Sequence, residues 1–100
     1  MRVFLSASAE QDLLDGFAFY ELQEKSLGWY FLDSLYADID SLALYGGIHA
    51  KPFNKLYRTT GRRFPFSIYY TVTEDVVTVI GVLDSRQNPA GIRAKLTSRS

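Results

Sequence analysis

One hundred residues, 47% of them apolar and 15% aromatic, make a single domain with a core of ordinary density and exclude a disordered chain. The absence of cysteine rules out a disulfide framework and a thiolate metal site, and no apolar run approaches the roughly 20 residues that a membrane-spanning helix needs. The formal net charge is zero, yet residues 1–50 carry eight acids against two bases and residues 51–100 carry nine bases against three acids. The halves therefore stand at −6 and +6. Either they neutralise each other across the fold, or the second half meets an acidic partner.

Val3-Phe4-Leu5 reads as a small strand, and the opening residues show no cleavage-site pattern of a signal peptide. Ser8-Ala9-Glu10-Gln11 fits a capping box, with Glu10 and Asp12 in a first turn where the helix dipole favours acids. Leu13, Phe17 and Tyr20 then recur at helical spacing and predict a helix from about Ala9 to Lys25. Gly16 inside it costs about 1 kcal/mol relative to alanine, so a close packing contact is expected there. Ser26-Leu27-Gly28 breaks that helix. Leu32, Leu35, Ile39 and Leu42 predict a second one from about Trp29 to Leu44, with Asp33, Asp38 and Asp40 off the apolar stripe. The short join makes the two helices an antiparallel hairpin, the natural cover for one face of a sheet.

Gly46-Gly47 ends the second helix, and Ile48–Asn54 reads as loop. Leu56–Thr60 is a strand, and Gly61-Arg62-Arg63 a turn. Two apolar runs follow, Phe64–Val72 and Val76–Leu83, separated by Thr73-Glu74-Asp75, which is the pattern of an antiparallel hairpin. In the first run Phe66, Ile68, Tyr70 and Val72 alternate with Ser67, Tyr69 and Thr71, predicting one buried and one wetter face. The second run is apolar at nearly every position and reads as a central strand covered on both faces. Pro89 opens a short last helix, Ala90–Leu96, and Thr97–Ser100 reads as frayed.

Three motifs resemble the RelE/ParE superfamily of bacterial toxins from type II toxin–antitoxin modules. Phe19-Tyr20 followed by Ser26-Leu27-Gly28-Trp29-Tyr30-Phe31 is similar to the family's aromatic pair and Gly-Leu-Gly-x-x-Phe join, with Ser26 in place of the first glycine. Arg63-Phe64-Pro65-Phe66-Ser67-Ile68-Tyr69-Tyr70 resembles its Arg-Phe-Pro-Tyr-x-Ile-x-Tyr strand. Val82-Leu83-Asp84-Ser85-Arg86-Gln87-Asn88-Pro89 resembles its Val-x-His-x-Arg-Arg-x-Pro segment. Their order and spacing run from about Val3 to Pro89. The resemblance implies an α+β fold of order β-α-α-β-β-β with a short C-terminal helix. It implies a cytoplasmic bacterial toxin in a hetero-oligomer with a cognate antitoxin, whose segment lies in an apolar groove on the sheet or helical hairpin. Plasmid stabilisation and growth inhibition are the associated roles.

The family divides in activity. ParE-like members poison DNA gyrase, and RelE-like members cut messenger RNA in the ribosomal A site. The nuclease pattern places a base where Ser67 stands and a histidine where Asp84 stands, and no tyrosine follows Arg86. Lys55, Arg58 and Arg86 remain candidate phosphate ligands, while Arg62, Arg63 and Arg86 are the candidate target-binding residues. The reading is therefore a ParE-like binding poison, with a ribosome-dependent endoribonuclease as the alternative and a degenerate toxin that keeps only antitoxin binding as a third. Each arginine has a plainer reading too. Arg86 caps the C-terminal end of the sheet or pairs with Asp84, Arg62 and Arg63 are ordinary turn charges, and Arg58 is a solvated edge cation. Tyr69 and Tyr70 read as packing residues. His49 reads as an inert loop histidine with no hydroxyl or acid near it in sequence. No carboxylate pair stands at ligand spacing from it, so neither metal nor cofactor is expected.

Overall fold

The hairpin read from the two apolar runs forms the spine of the molecule. In the computed structural model, which describes residues 1–53 and 55–99, β4 (Phe66–Thr73) turns into β5 (Val76–Asp84). Thr73 pairs with Val76, so the turn is Glu74-Asp75, and Glu74 takes the left-handed φ of 57° such a two-residue turn demands. The other elements are β1 (Arg2–Leu5), α1 (Ala7–Gln23), α2 (Leu27–Asp40), α3 (Leu42–Tyr45), β2 (Ala50–Phe53), β3 (Leu56–Thr60) and α4 (Pro89–Arg99). The expected α+β architecture holds. The sheet has five strands in the order β1-β5-β4-β3-β2. β1 runs parallel to β5, with Arg2 opposite Val76, and the remaining pairs are antiparallel.

The α1–α2 hairpin covers one face. Leu13, Phe31, Leu35 and Ile39 pack there on Ile68, Tyr70, Val77, Val79 and Val82. Gly16 explains itself at this layer, because a Cβ on it would lie 2.6 Å from Cε2 of the buried Phe31 ring. The other face is not the wetter one expected. α4 lies across it, and its Ile92 and Leu96 form a second core with Leu56, Tyr69 and Leu83. Ser67 and Tyr69 are therefore buried, 3% and 2% exposed. The two-sided cover expected for β5 is confined to its C-terminal half, Gly81 to Leu83; Val76 and Thr78 stay half-buried. α4 is also longer than the expected Ala90–Leu96, because Leu96 and Arg99 both reach protein partners; Ser100 lies outside the described residues.

Several boundaries differ from the sequence reading for local reasons. The cap of α1 is Ser6, whose hydroxyl accepts from Ala9 N at 3.0 Å, and not Ser8, which is already helical. Gln11 bonds Asp15 one turn on instead of reaching back. The second helix breaks at Ser41, whose hydroxyl donates to Asp38 O at 2.6 Å and competes with the helical ladder. Ala50–Phe53, expected as loop, forms an edge strand on β3 despite Pro52; Asn54, part of the same expectation, lies outside the described residues. Asp38 is not off the stripe. It is 9% exposed and accepts Arg62 N at 3.2 Å, tying α2 to the β3–β4 turn.

Candidate binding surface at the aromatic end

At one end of the molecule the α1–α2 join, the β3–β4 turn and the exit of β5 meet. Tyr20 from α1, Tyr30 and Phe31 from α2, and Phe64 and Phe66 from the second motif pack there ring on ring, with centroids 4.8–5.5 Å apart in the Tyr20–Phe64, Phe31–Phe66, Phe31–Phe64 and Tyr30–Phe64 pairs. Phe64 was expected inside the strand. It instead precedes it and drops into this cluster, 8% exposed. Phe19 and Tyr30 stay about half exposed, at 54% and 49%.

All three candidate target-binding arginines stand on this end. The Arg63 guanidinium lies 6.0 Å over the Tyr30 ring. Arg86 folds back on Asp84, donating from Nε and Nη2 at 3.0 and 2.8 Å, and neighbours the Tyr20 hydroxyl. The Arg86 hydrogen bond holds the Asp84 carboxyl below its usual value, and Asp84 in turn holds Arg86 more firmly protonated. Arg86 remains 63% exposed, so its outer edge is open to solvent. Arg62 is exposed in the same turn, and its backbone is fixed by Asp38.

The candidate phosphate ligands are not brought together. Asp84 stands opposite Phe66, which puts the Asp84–Arg86 pair on the helix side of the sheet. Arg58 stands opposite Tyr69, on the α4 side. It is exposed, but β3 is paired on both flanks, so it is not the edge cation expected. Lys55 is exposed in the β2–β3 turn. Ser67 is buried and shares a 2.8 Å hydrogen bond with Ser85, so a hydroxyl pair fills the place of the nuclease cation.

A chain in a structure described as "Chromosomal ParDE TA system from P. aeruginosa" superposes on this one with a TM-score of 0.77, covering 84% of this chain and 95% of that one at 15% identity. The fold is RelE/ParE-like. No protein-family model and no curated protein matches the sequence.

Within this RelE/ParE-like fold each motif has a physical task. Ser26 sits at φ 74°, the left-handed conformation that glycine adopts without strain, which accounts for a glycine at that position in the family's pattern. The Glu21 carboxylate accepts Ser26 N and Gly28 N, both at 2.9 Å, and holds the join. Gly28 permits a close approach, since a Cβ there would lie 2.7 Å from Phe17 O. Pro65 O accepts Ser85 N at 2.8 Å, linking the second motif to the third.

Sequence reasoning missed the place of His49. Tyr70 is fully buried, and its hydroxyl accepts Gly47 N at 3.0 Å and lies 2.5 Å from His49 Nδ1. When His49 Nδ1 carries no proton, the hydroxyl donates to that nitrogen, and the contact anchors the loop after α3. Burial raises the Tyr70 pKa above the ordinary 10.0. The folded state therefore keeps the phenol protonated where the unfolded chain ionises, so stability falls as pH rises above that value. Tyr70→Phe is expected to cost about 1–2 kcal/mol at neutral pH. It should also remove this part of the alkaline loss, so denaturant unfolding of both proteins at neutral and alkaline pH checks both effects.

Proposed function

We propose that the chain is the toxin of a type II toxin–antitoxin module, acting by binding its target, with DNA gyrase the leading candidate. A cognate antitoxin neutralises it in a cytoplasmic hetero-oligomer. The likeness of fold to a chain of a ParDE system supports the toxin reading. The placement of the cations carries the choice of binding over cutting. A nuclease needs cations aimed at one developing phosphate charge. Here Arg58 and Arg86 occupy opposite faces of the sheet, and Arg86 is already paired with Asp84. Aromatic rings with arginines at their rim have the composition of a protein-binding hot spot.

The test sets purified chain against gyrase supercoiling and against messenger RNA in a translating extract. Supercoiling should be inhibited while transcript ends stay intact. Codon-phased cuts that need ribosomes would overturn the proposal in favour of the RelE-like endoribonuclease. The double variant Arg63→Ala, Arg86→Ala should weaken inhibition by about tenfold or more. Its melting temperature should stay within about 2 °C of the parent, since exposed ion pairs contribute little to stability.

A further inference from the structure

The three arginines of the aromatic end are held by three different devices. Asp84 Oδ1 accepts Arg86 N at 2.9 Å as well as Nε, and its Oδ2 accepts Nη2. The guanidinium plane is thereby fixed, while the donors of Nη1 stay unspent on Asp84. Arg63 lies over the Tyr30 ring, and the backbone of Arg62 is fixed by the buried Asp38. Among the described residues no carboxylate pairs with the side chain of Arg62 or Arg63. Three exposed arginines therefore share one ion-pair partner, Asp84, and stand beside the half-exposed rings of Phe19 and Tyr30.

An arginine held in place with open donors is preorganised for a planar anion, and its fork suits carboxylate and phosphate alike. The surroundings decide between the two. On the helical flank Glu24 follows Tyr20 by four residues and Asp33 follows Tyr30 by three, both exposed, against the single base Lys25. Across the sheet, Arg58 faces the α4 side. A nucleic acid needs cations that continue along its backbone. Here they stop after three, and a longer polyanion would run onto carboxylates. We propose that the aromatic end takes an acidic segment of the target protein, its carboxylates forked on Arg63 and Arg86 and its apolar side chains laid on Phe19 and Tyr30. The proposal rests on this end being the target-binding surface, and it assigns the chemistry of what binds there.

The probes are a dye-labelled short peptide of glutamate and leucine, its lysine–leucine counterpart, and a single-stranded oligonucleotide of the same charge as the first. Fluorescence anisotropy should show the glutamate peptide binding saturably, with an affinity that falls as salt rises. The lysine peptide should not bind, and the oligonucleotide should bind about tenfold more weakly or not at all. Arg63→Ala and Arg86→Ala should each weaken the glutamate peptide about tenfold. Arg86→Lys keeps the charge but loses the fork, so it should bind about as poorly as Arg86→Ala. Arg2→Gln, a cation on β1 beside the β4–β5 turn, should change nothing. No binding, equal binding of both peptides, a loss from Arg2→Gln equal to that from Arg86→Ala, or full affinity in Arg86→Lys overturns the proposal. Tighter binding of the oligonucleotide also overturns it, since the arginines then serve phosphates. Supercoiling inhibited by a chain that ignores the glutamate peptide sinks this inference alone. Peptide bound as expected by a chain that leaves supercoiling untouched sinks the gyrase reading alone.

Discussion

Replacing Asp12 by alanine is expected to cost about 3 kcal/mol of stability. Asp12 projects from α1 and is 9% exposed as a side chain. Its Oδ2 accepts Val82 N at 2.9 Å and Arg99 Nη1 at 2.6 Å, and its Oδ1 accepts Arg99 Nη2 at 2.9 Å. The need arises from the sheet. β1 ends at Leu5 opposite Val79, so β5 runs on without a neighbour on that side, and its Val82 N–H is left to be satisfied. The alanine variant strands that N–H and a guanidinium that is only 18% exposed. Gly81 belongs to the same device, since a Cβ there would sit 3.0 Å from Arg99 Nη1. Chemical denaturation gives the loss, and amide exchange across α4 should rise in step as the helix lifts. Asp12→Asn keeps an acceptor and should lose about half as much.

Phe31→Ala is expected to cost about 4 kcal/mol, a large share of the 5–15 kcal/mol typical of a domain. The ring is fully buried among Tyr20, Phe64 and Phe66, with centroids at 5.2, 5.2 and 4.9 Å. Its loss opens a cavity under the surface that presents Arg63 and Arg86, so under the function proposed above inhibition should weaken along with stability. Gly16 supplies an internal check. Gly16→Ala alone meets the Phe31 ring and should destabilise. In the Phe31→Ala background the same methyl enters empty space and adds helix propensity, so the sign should reverse. Thermal unfolding of the four proteins in this cycle measures the coupling.

Patterns carried by side-chain period were legible in the sequence. The helical hairpin, the β4–β5 hairpin and the three motifs could be read because each is local and periodic, and Gly16 announced a close contact by its position. What escaped was fixed by distant partners. Nothing near Asp38 or Asp12 shows that one will hold a turn and the other a sheet edge. Ser67 and Tyr69 look like a wet face until α4 is laid over them. β2 has a proline and only one neighbour, so its pairing depends on β3 being in place. Arg86 and Asp84 were readable as a pair because they are two residues apart. That Arg58 faces the other way required the register of β3 against β4.

The parallel pairing of β1 with β5 also sets an order of events. Arg2 leaves the ribosome early but has no partner until Val76 follows, whereas the α1–α2 and β4–β5 hairpins close from neighbouring residues. Contacts so far apart in sequence form late, because a long loop must first be closed. The aromatic end draws Tyr20 and Phe31 from the first third of the chain and Arg63, Phe64 and Arg86 from its later part. A partly synthesised chain therefore cannot present that surface. The Asp12–Arg99 clamp comes later still, because its arginine lies beyond Val76 and Arg86 at the end of α4.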